Sequence, residues 1–189
     1  ILFVGFFVGG AWGALAGWFK AKRGCHEVLS SILLNFISYS LCSFLILHVL
    51  KNPDSQSPET APIGAGFELP VLSFGGTSPV NASIFLAILA AFAFLFIFAK
   101  TRFGFIQRMS GEALQVARRA GVSVDKQIIF AMFLSGGLAG LGGISQILGY
   151  LHKAKDGFPA GAGFMGIAVA LLGRNSAIGV LLASLLFGV

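Results

Sequence analysis

The sequence predicts an all-α fold, a polytopic transmembrane helical bundle, and three observations lead there. Apolar residues fill 56% of 189 positions and charged residues 11%, a balance a water-soluble domain of this size could hardly keep off its surface. The apolar residues come in unbroken runs long enough to cross about 30 Å of hydrocarbon, not at the period of a half-buried helix or strand. The charges collect between those runs.

Taken in order, the expected spans are residues 1–19, 28–50, 82–99 and 128–150, followed by a last apolar stretch at 164–189. That last stretch is broken near 173–175. Phe164 to Gly173 is too short to cross, ends at Gly173-Arg174-Asn175, and gives way to a fresh apolar run, which is how a discontinuous helix reads. The chain starts on Ile1 and stops at Val189 inside apolar runs, so it is expected to be an internal fragment of a multi-pass membrane domain.

A net charge of +6 raises the question of nucleic acid, and its distribution answers against it. Lys20, Lys22 and Arg23 follow the first run; Lys100, Arg102, Arg108, Arg118, Arg119 and Lys126 fall in the loop 100–127. If each run crosses once, both loops lie on one side, which the positive-inside bias labels cytoplasmic. The loop 51–81 between them carries Asp54, Glu59, Glu68 and five prolines against Lys51 alone, as suits an external loop. Its Gly75-Gly76 and Pro79 argue against a further crossing.

No catalytic, cofactor-binding or metal-ligating set is expected. Cys25 and Cys42 would be roughly 25 Å apart along one helix, too far to pair. His26, His48 and His152 lack ligand spacing. Gly161-Ala162-Gly163-Phe164-Met165-Gly166 spells G-x-G-x-x-G, but Leu151 to Ala160 before it is polar, holds Pro159 and reads as a loop where a strand is required. No G-x-x-x-x-G-K-[ST] loop occurs, so any ATP must bind another subunit.

The helices carry more than lipid-facing bulk. Gly5, Gly9, Gly13 and Gly17 recur every fourth residue and lay a groove for a close neighbour, and Ser135, Gly136, Gly140 and Gly143 suggest the same in the fourth helix. Glu27, Ser31, Asn35, Ser38 and Cys42 form a polar stripe on the second helix. Ser135, Ala139, Gly142, Gln146 and Tyr150 form another on the fourth. Such stripes face either helix partners or a water-filled route; Ser31, Asn35, Ser38, Gln146, Tyr150 and Phe164 are the candidate route residues. Phe164 and Tyr150 offer rings on which a nucleobase could stack, although packing against lipid explains so abundant a residue as Phe more simply. In the basic loop, GEALQVARRAG at 111–121 predicts a short cytoplasmic helix, with Gly121 as its stop. Anionic lipid bound through Arg118 and Arg119 is the alternative to a protein partner for it.

The order of these features resembles the membrane subunit of branched-chain amino acid, ribose and nucleoside ABC importers, on the nucleoside and simple-sugar side. HEVLSSILLNFIS (26–38), TRFGFIQRMSG (101–111), ALQVARRAGV (113–122), SGGLAGLGG (135–143) and GFPAGAGFMGIAVALLGRN (157–175) carry the resemblance. It implies a coupling helix at 111–121, with Gly111, Glu112, Ala113, Leu114, Ala117, Arg118 and Gly121 docking on an ATPase subunit that holds the ATP. It also implies a second permease subunit, an extracytoplasmic substrate-binding protein, and a place in the bacterial cytoplasmic (inner) membrane, among lipid. Two positions depart from the family pattern: Ala113-Leu114 stands where Asn-Pro is common, and Met165 where the nucleoside-like branch often has Asp. An ion-coupled secondary transporter of a small polar solute is the alternative, and it would be expected to carry intramembrane carboxylates, of which only Glu27, at a boundary, is present.

Overall fold

The computed structural model describes residues 1–53, 57–64, 71–72, 80–157 and 161–188. Asp54, Glu68, Gly75-Gly76, Pro79 and Pro159, used above to read two loops, lie outside the described residues. The fold is an all-α, polytopic bundle: α1 (Leu2–Arg23), α2 (Glu27–Phe44), α3 (Ser83–Lys100), α4 (Arg102–Glu112), α5 (Leu114–Arg119), α6 (Val124–Gln146), α7 (Ala162–Leu172) and α8 (Ala177–Gly188). α2 and α6 each end in a π-helical turn, Leu45–Val49 and Ile147–Leu151. Among the described residues, four helices are long and apolar enough to cross a membrane: Leu2–Arg23, Glu27–Val49, Ser83–Lys100 and Val124–Leu151. Val71–Leu72 and Val80–Asn81 add a short antiparallel pair between α2 and α3.

The bundle is organised by α1 and α6, which run antiparallel in close contact. Gly5 faces Gly140 and Ile144, Gly9 faces Gly136 and Gly140, Gly13 faces Met132 and Gly136, and Gly17 faces Ile129 and Met132. A Cβ added at Gly9 would stand 2.5 Å from the Gly136 carbonyl oxygen, and one at Gly136 would strike the Gly9 carbonyl in return. The glycine Cα–H bonds therefore point at carbonyl oxygens of the opposite helix, weak contacts worth about 0.5–1 kcal/mol each. Beside this row the rings of Phe133 and Phe6 lie over Gly10 and Gly137 and meet edge to face at 5.9 Å. Gly143, expected in the seam, is outside it: a Cβ there would meet nothing within 4 Å, because Ile144 makes the contact with Gly5.

Ring contacts extend the seam sideways. Phe133 meets Phe130 at 6.2 Å, Phe130 meets Phe103 of α4 at 4.7 Å, and Phe103 meets Phe98 of α3 at 6.5 Å. Part of the large phenylalanine content thus links helices to one another. Elsewhere apolar side chains point outward, with Phe3 81% and Leu89 66% exposed and no buried residue in α3, a surface that only an apolar surrounding can cover.

Helix ends follow from local chemistry. α1 runs past the apolar run to Arg23 because Lys20, Lys22 and Arg23 suit the negative end of its dipole, and Gly24, at φ 64°, closes it. α3 ends where Thr101 donates its hydroxyl to Ile97 O and accepts from Gly104 N at 3.2 Å, capping α4. A Cβ at Gly104 would collide with the backbone of Ile97 and Phe98, so this corner needs glycine. α6 starts at Val124, ahead of the apolar run, with Val124 itself buried.

Gly9→Ala and Gly136→Ala are expected to destabilise the detergent-purified protein by about 1–3 kcal/mol each through overpacking. Gly142→Ala, whose Cβ meets nothing within 4 Å, should leave the thermal midpoint equal or raised. A midpoint indifferent to Gly9→Ala would remove the seam as the organising contact.

Candidate functional site

The seam gathers the basic segments at one end of the bundle. Lys22 at the end of α1 lies 4.0 Å from Asp125 at the start of α6, and Lys20 pairs with Glu27 at the start of α2. At the far end, Ser43 of α2 donates a hydrogen bond to Asp156, just beyond α6. There Lys153 meets Glu59 at 2.7 Å, and Thr60 N donates to Ala154 O at 3.0 Å, tying the loop after α2 to the segment after α6. α2 and α6 thus run in the same direction, each tied to α1 at the basic end and linked to one another at the far end, while α1 packs on both and the two make no extensive contact of their own.

At the basic end a cleft of about 310 Å³ opens between α1, α2, α4 and α6. Ser31 is among its lining residues, with Glu27 and Val28 beside it on α2 and Gln127, Ile128 and Ala131 opposite on α6. Asn35 stands four residues beyond Ser31 and Ser135 four beyond Ala131, so each polar stripe continues one wall of the cleft along its helix. The Ser31 and Ser38 hydroxyls donate to Val28 O and Asn35 O of their own helix, both at 3.0 Å, which satisfies them without a partner helix. Asn35, Gln146 and Tyr150 are exposed, so neither stripe is consumed by packing within this chain. Phe164 is not brought to the stripes: it is 81% exposed on α7, which packs on α8.

α4 supplies the cleft's third wall. Gln107 donates its side-chain Nε2 to Gln127 O at 3.2 Å. Its Oε1, like that of Gln127, is buried and has no partner among the described residues. Both glutamines, with Ser110, were missed in the sequence. Extending the α6 stripe back by two turns from Ser135, through Ala131, would have found Gln127.

Gly111, which lines the cleft, and Glu112 belong to the end of α4. The single helix expected over 111–121 is therefore corrected to two pieces: Ala113, at φ −137° and ψ 68°, breaks the chain, and the shorter α5 begins at Leu114. The break lets the segment turn under the bundle, where Ala117 is fully buried and Arg118 and Arg119 remain exposed. Gly121, at φ 79°, stands in the turn after α5, where Val122 N donates to Ala117 O at 3.0 Å. A second hollow of about 410 Å³, lined in part by Lys22, Arg118 and Lys126, adjoins this turn.

Gly161, at φ 85°, opens α7, and Gly173 packs against Gly179 and Val180 at the break between α7 and α8. Arg174 and Asn175 take left-handed backbone conformations there. Cys25 and Cys42 are free and exposed.

Among the described residues, four membrane-length helices, two short apolar ones, and polar stripes rising from a cleft at the basic end describe a multi-pass membrane protein. The whole chain, residues 1–189, matches the family described as branched-chain amino acid transport system / permease component, and the chain belongs to it. It is similar to the guanosine ABC transporter permease protein NupP of Bacillus subtilis, at 37% identity over 95% of this chain and 52% of the relative. To the glucose ABC transporter permease protein TsgB13 of Haloferax volcanii it is 35% identical, over 100% of this chain and 52% of the relative. To the nucleoside ABC transporter permease protein NupB of Lactococcus lactis it is 33% identical, over 100% of this chain and 54% of the relative. The chain spans about half the length of these curated relatives. No solved structure matches it.

Ala113 occupies the N-cap of α5 without a side-chain cap, and Leu114 the first helical position, which favours proline. Ala113→Asn is expected to stabilise the start of α5 by about 1 kcal/mol. Slower trypsin cleavage after Arg118 and Arg119 is the readout; faster cleavage would show that the break needs alanine's freedom.

Proposed function

We propose that the chain is part of the permease subunit of an ATP-binding-cassette importer and forms a stretch of the route by which a nucleoside or simple sugar crosses the bacterial cytoplasmic membrane. The observation that carries this is the continuity of the cleft with two polar stripes in a chain of this family. The names of the relatives, which speak of guanosine, nucleosides and glucose, support the solute class.

On this reading the basic end is cytoplasmic, and α5 with its flanks, Gly111 to Gly121, is the coupling segment. The exposed Arg118 and Arg119 and the cationic hollow beside them suit a partner with acidic groups, the ATPase subunit. Because Gly111 lies on the wall of the cleft, displacement of α4 and α5 by that subunit would change the width of the route directly. A second permease subunit would cover the exposed stripes, and an extracytoplasmic binding protein would deliver solute at the far end. The break between α7 and α8 leaves backbone groups near Gly173 that a neighbouring part of the route could use.

Deletion of the permease gene from cells carrying the full operon should abolish uptake of radiolabelled guanosine or adenosine, with ribose and leucine failing to compete. Retained nucleoside uptake with lost uptake of a sugar would discard the nucleoside and keep the importer. Within the full-length protein, Asn35→Leu and Gln146→Leu should each lower uptake severalfold at unchanged membrane abundance. Unchanged uptake would take them off the route.

A further inference from the structure

We infer that the far end of the bundle is a fixed brace on α2 and α6, closed by Asp156 against Ser43, and that within this chain these two stripe-bearing helices part only at the basic end. The inference rests on the importer reading above. It comes from the unequal way in which the two ends are joined.

At the far end three short segments lie side by side. After α2, Lys51 forms an antiparallel bridge with Thr60, and Asn52 N donates to Glu59 O at 3.0 Å. On its other side the same segment pairs with the chain after α6: Glu59 bridges Lys155, Thr60 N donates to Ala154 O at 3.0 Å, and Ile63 N donates to His152 O at 2.8 Å. Ala154 N donates to the Thr60 hydroxyl and Asp156 N to Pro58 O, both at 3.1 Å. Asp156 then closes the circuit by accepting from Ser43 on α2 itself. Ser43 lies six residues before the end of that span at Val49, about 9 Å at the rise of a helix, so the tie grips α2 within the span as well as through the loop.

The basic end is joined more loosely. Among the described residues no hydrogen bond or ion pair there runs from α2 to α6; Lys20 with Glu27 and Lys22 with Asp125 each tie one helix to α1. Glu27 and Asp125 are 48% and 45% exposed, against 13% for Glu59 in its pair with Lys153, and exposed pairs yield readily to displacement. Gly24 to His26, the link from α1 to α2, is non-helical and can lengthen. Between the two helices lies the cleft.

A body held at one end and loose at the other changes shape as a hinge, and the change of angle has a place to occur. The π-helical turn Ile147–Leu151 stands between α6 and the brace. Turns of this kind recur at functional sites, and a few residues at the end of an element are enough to absorb a rotation. The matching turn on α2, Leu45–Val49, lies beyond Ser43 and so inside the braced part. The far mouth of the route then opens by movement of this whole unit against a second permease subunit, while α2 stays on α6.

The test uses the full-length permease with its ATPase and binding protein, in a background with Cys25→Ser and Cys42→Ser. Ser43→Cys with Asp156→Cys replaces two side chains already in contact and should form a disulfide on oxidation, with most of the uptake retained. Ser31→Cys with Ala131→Cys, bridged across the cleft by a bifunctional methanethiosulfonate, should lose uptake roughly tenfold and regain it on reduction, because a required movement is blocked. Spin labels on Val28→Cys and Ile128→Cys should change their separation when ATP binds, and labels on Lys51→Cys and Lys155→Cys should keep theirs. Assembly with the ATPase and uptake by the background protein are scored first and test the importer reading by themselves. In a complex that passes, reversible loss of uptake on closing the far disulfide would overturn the brace. So would far cysteines that do not pair, a far label pair that moves as much as the basic pair, or a cleft bridge without effect.

Discussion

The contact between α1 and α6 is the constraint on which the remaining geometry depends. Inside a bilayer, lipid tails compete with any apolar side chain for a helix surface, so hydrophobicity alone cannot hold two helices together. What lipid cannot reproduce is backbone lying against backbone, with the carbonyls of Gly5, Gly9, Met132 and Gly136 at the positions where side chains would begin. The antiparallel register this imposes brings Lys22 to Asp125 and sets both basic segments at one end. It also leaves the face of α6 that carries Ser135, Ala139, Gly142 and Gln146 exposed. Because α1 takes the glycine face, the stripe of Ser135, Ala139, Gly142 and Gln146 is left for something other than close packing in this chain.

Much of this was legible before any coordinates. Apolar runs of membrane length give four helices and a broken fifth because backbone groups in hydrocarbon must be satisfied within the segment, and only a helix does so locally. A glycine every fourth residue in α1 announces a close neighbour, though not which one. On α6, Gly136 and Gly140 are in the contact and Gly143 is out, because the seam follows every fourth residue, Met132, Gly136, Gly140 and Ile144, and Gly143 comes only three after Gly140. Helix ends were less legible. Lys20 to Arg23 interrupt an apolar run without interrupting a helix, and hydropathy sees only the former.

The segment 111–121 shows where local reading stops. Glu112, Ala113 and Leu114 are all good helix formers, and nothing in their propensities announces a break. The break comes from packing: α4 is tied to α6 through Gln107 and through Phe103 on Phe130, while Ala117 must reach full burial beneath the bundle. One straight helix cannot satisfy both. Where the family often places Asn-Pro, a cap followed by a residue preset for the first helical turn, the same corner is written into the sequence. Here the tertiary contacts make it without that help, which leaves α5 short and its first turn without a side-chain cap.

The scarcity of ionisable groups among these helices carries meaning at two levels. It argued in the sequence against ion coupling, since an intramembrane carboxylate is what would bind the coupling ion. In the structure the same scarcity sets what the route would accept. Glu27, at the cleft end of the α2 stripe, is engaged by Lys20, and the other residues lining the cleft carry no charge. On the importer reading, an ion would meet no counter-charge in that cleft, which suits a neutral solute. A transporter that takes its energy from a separate ATPase has no need of a charged relay in its own membrane helices. On the importer reading, the polarity of this bundle, slight as it is, follows the cargo alone.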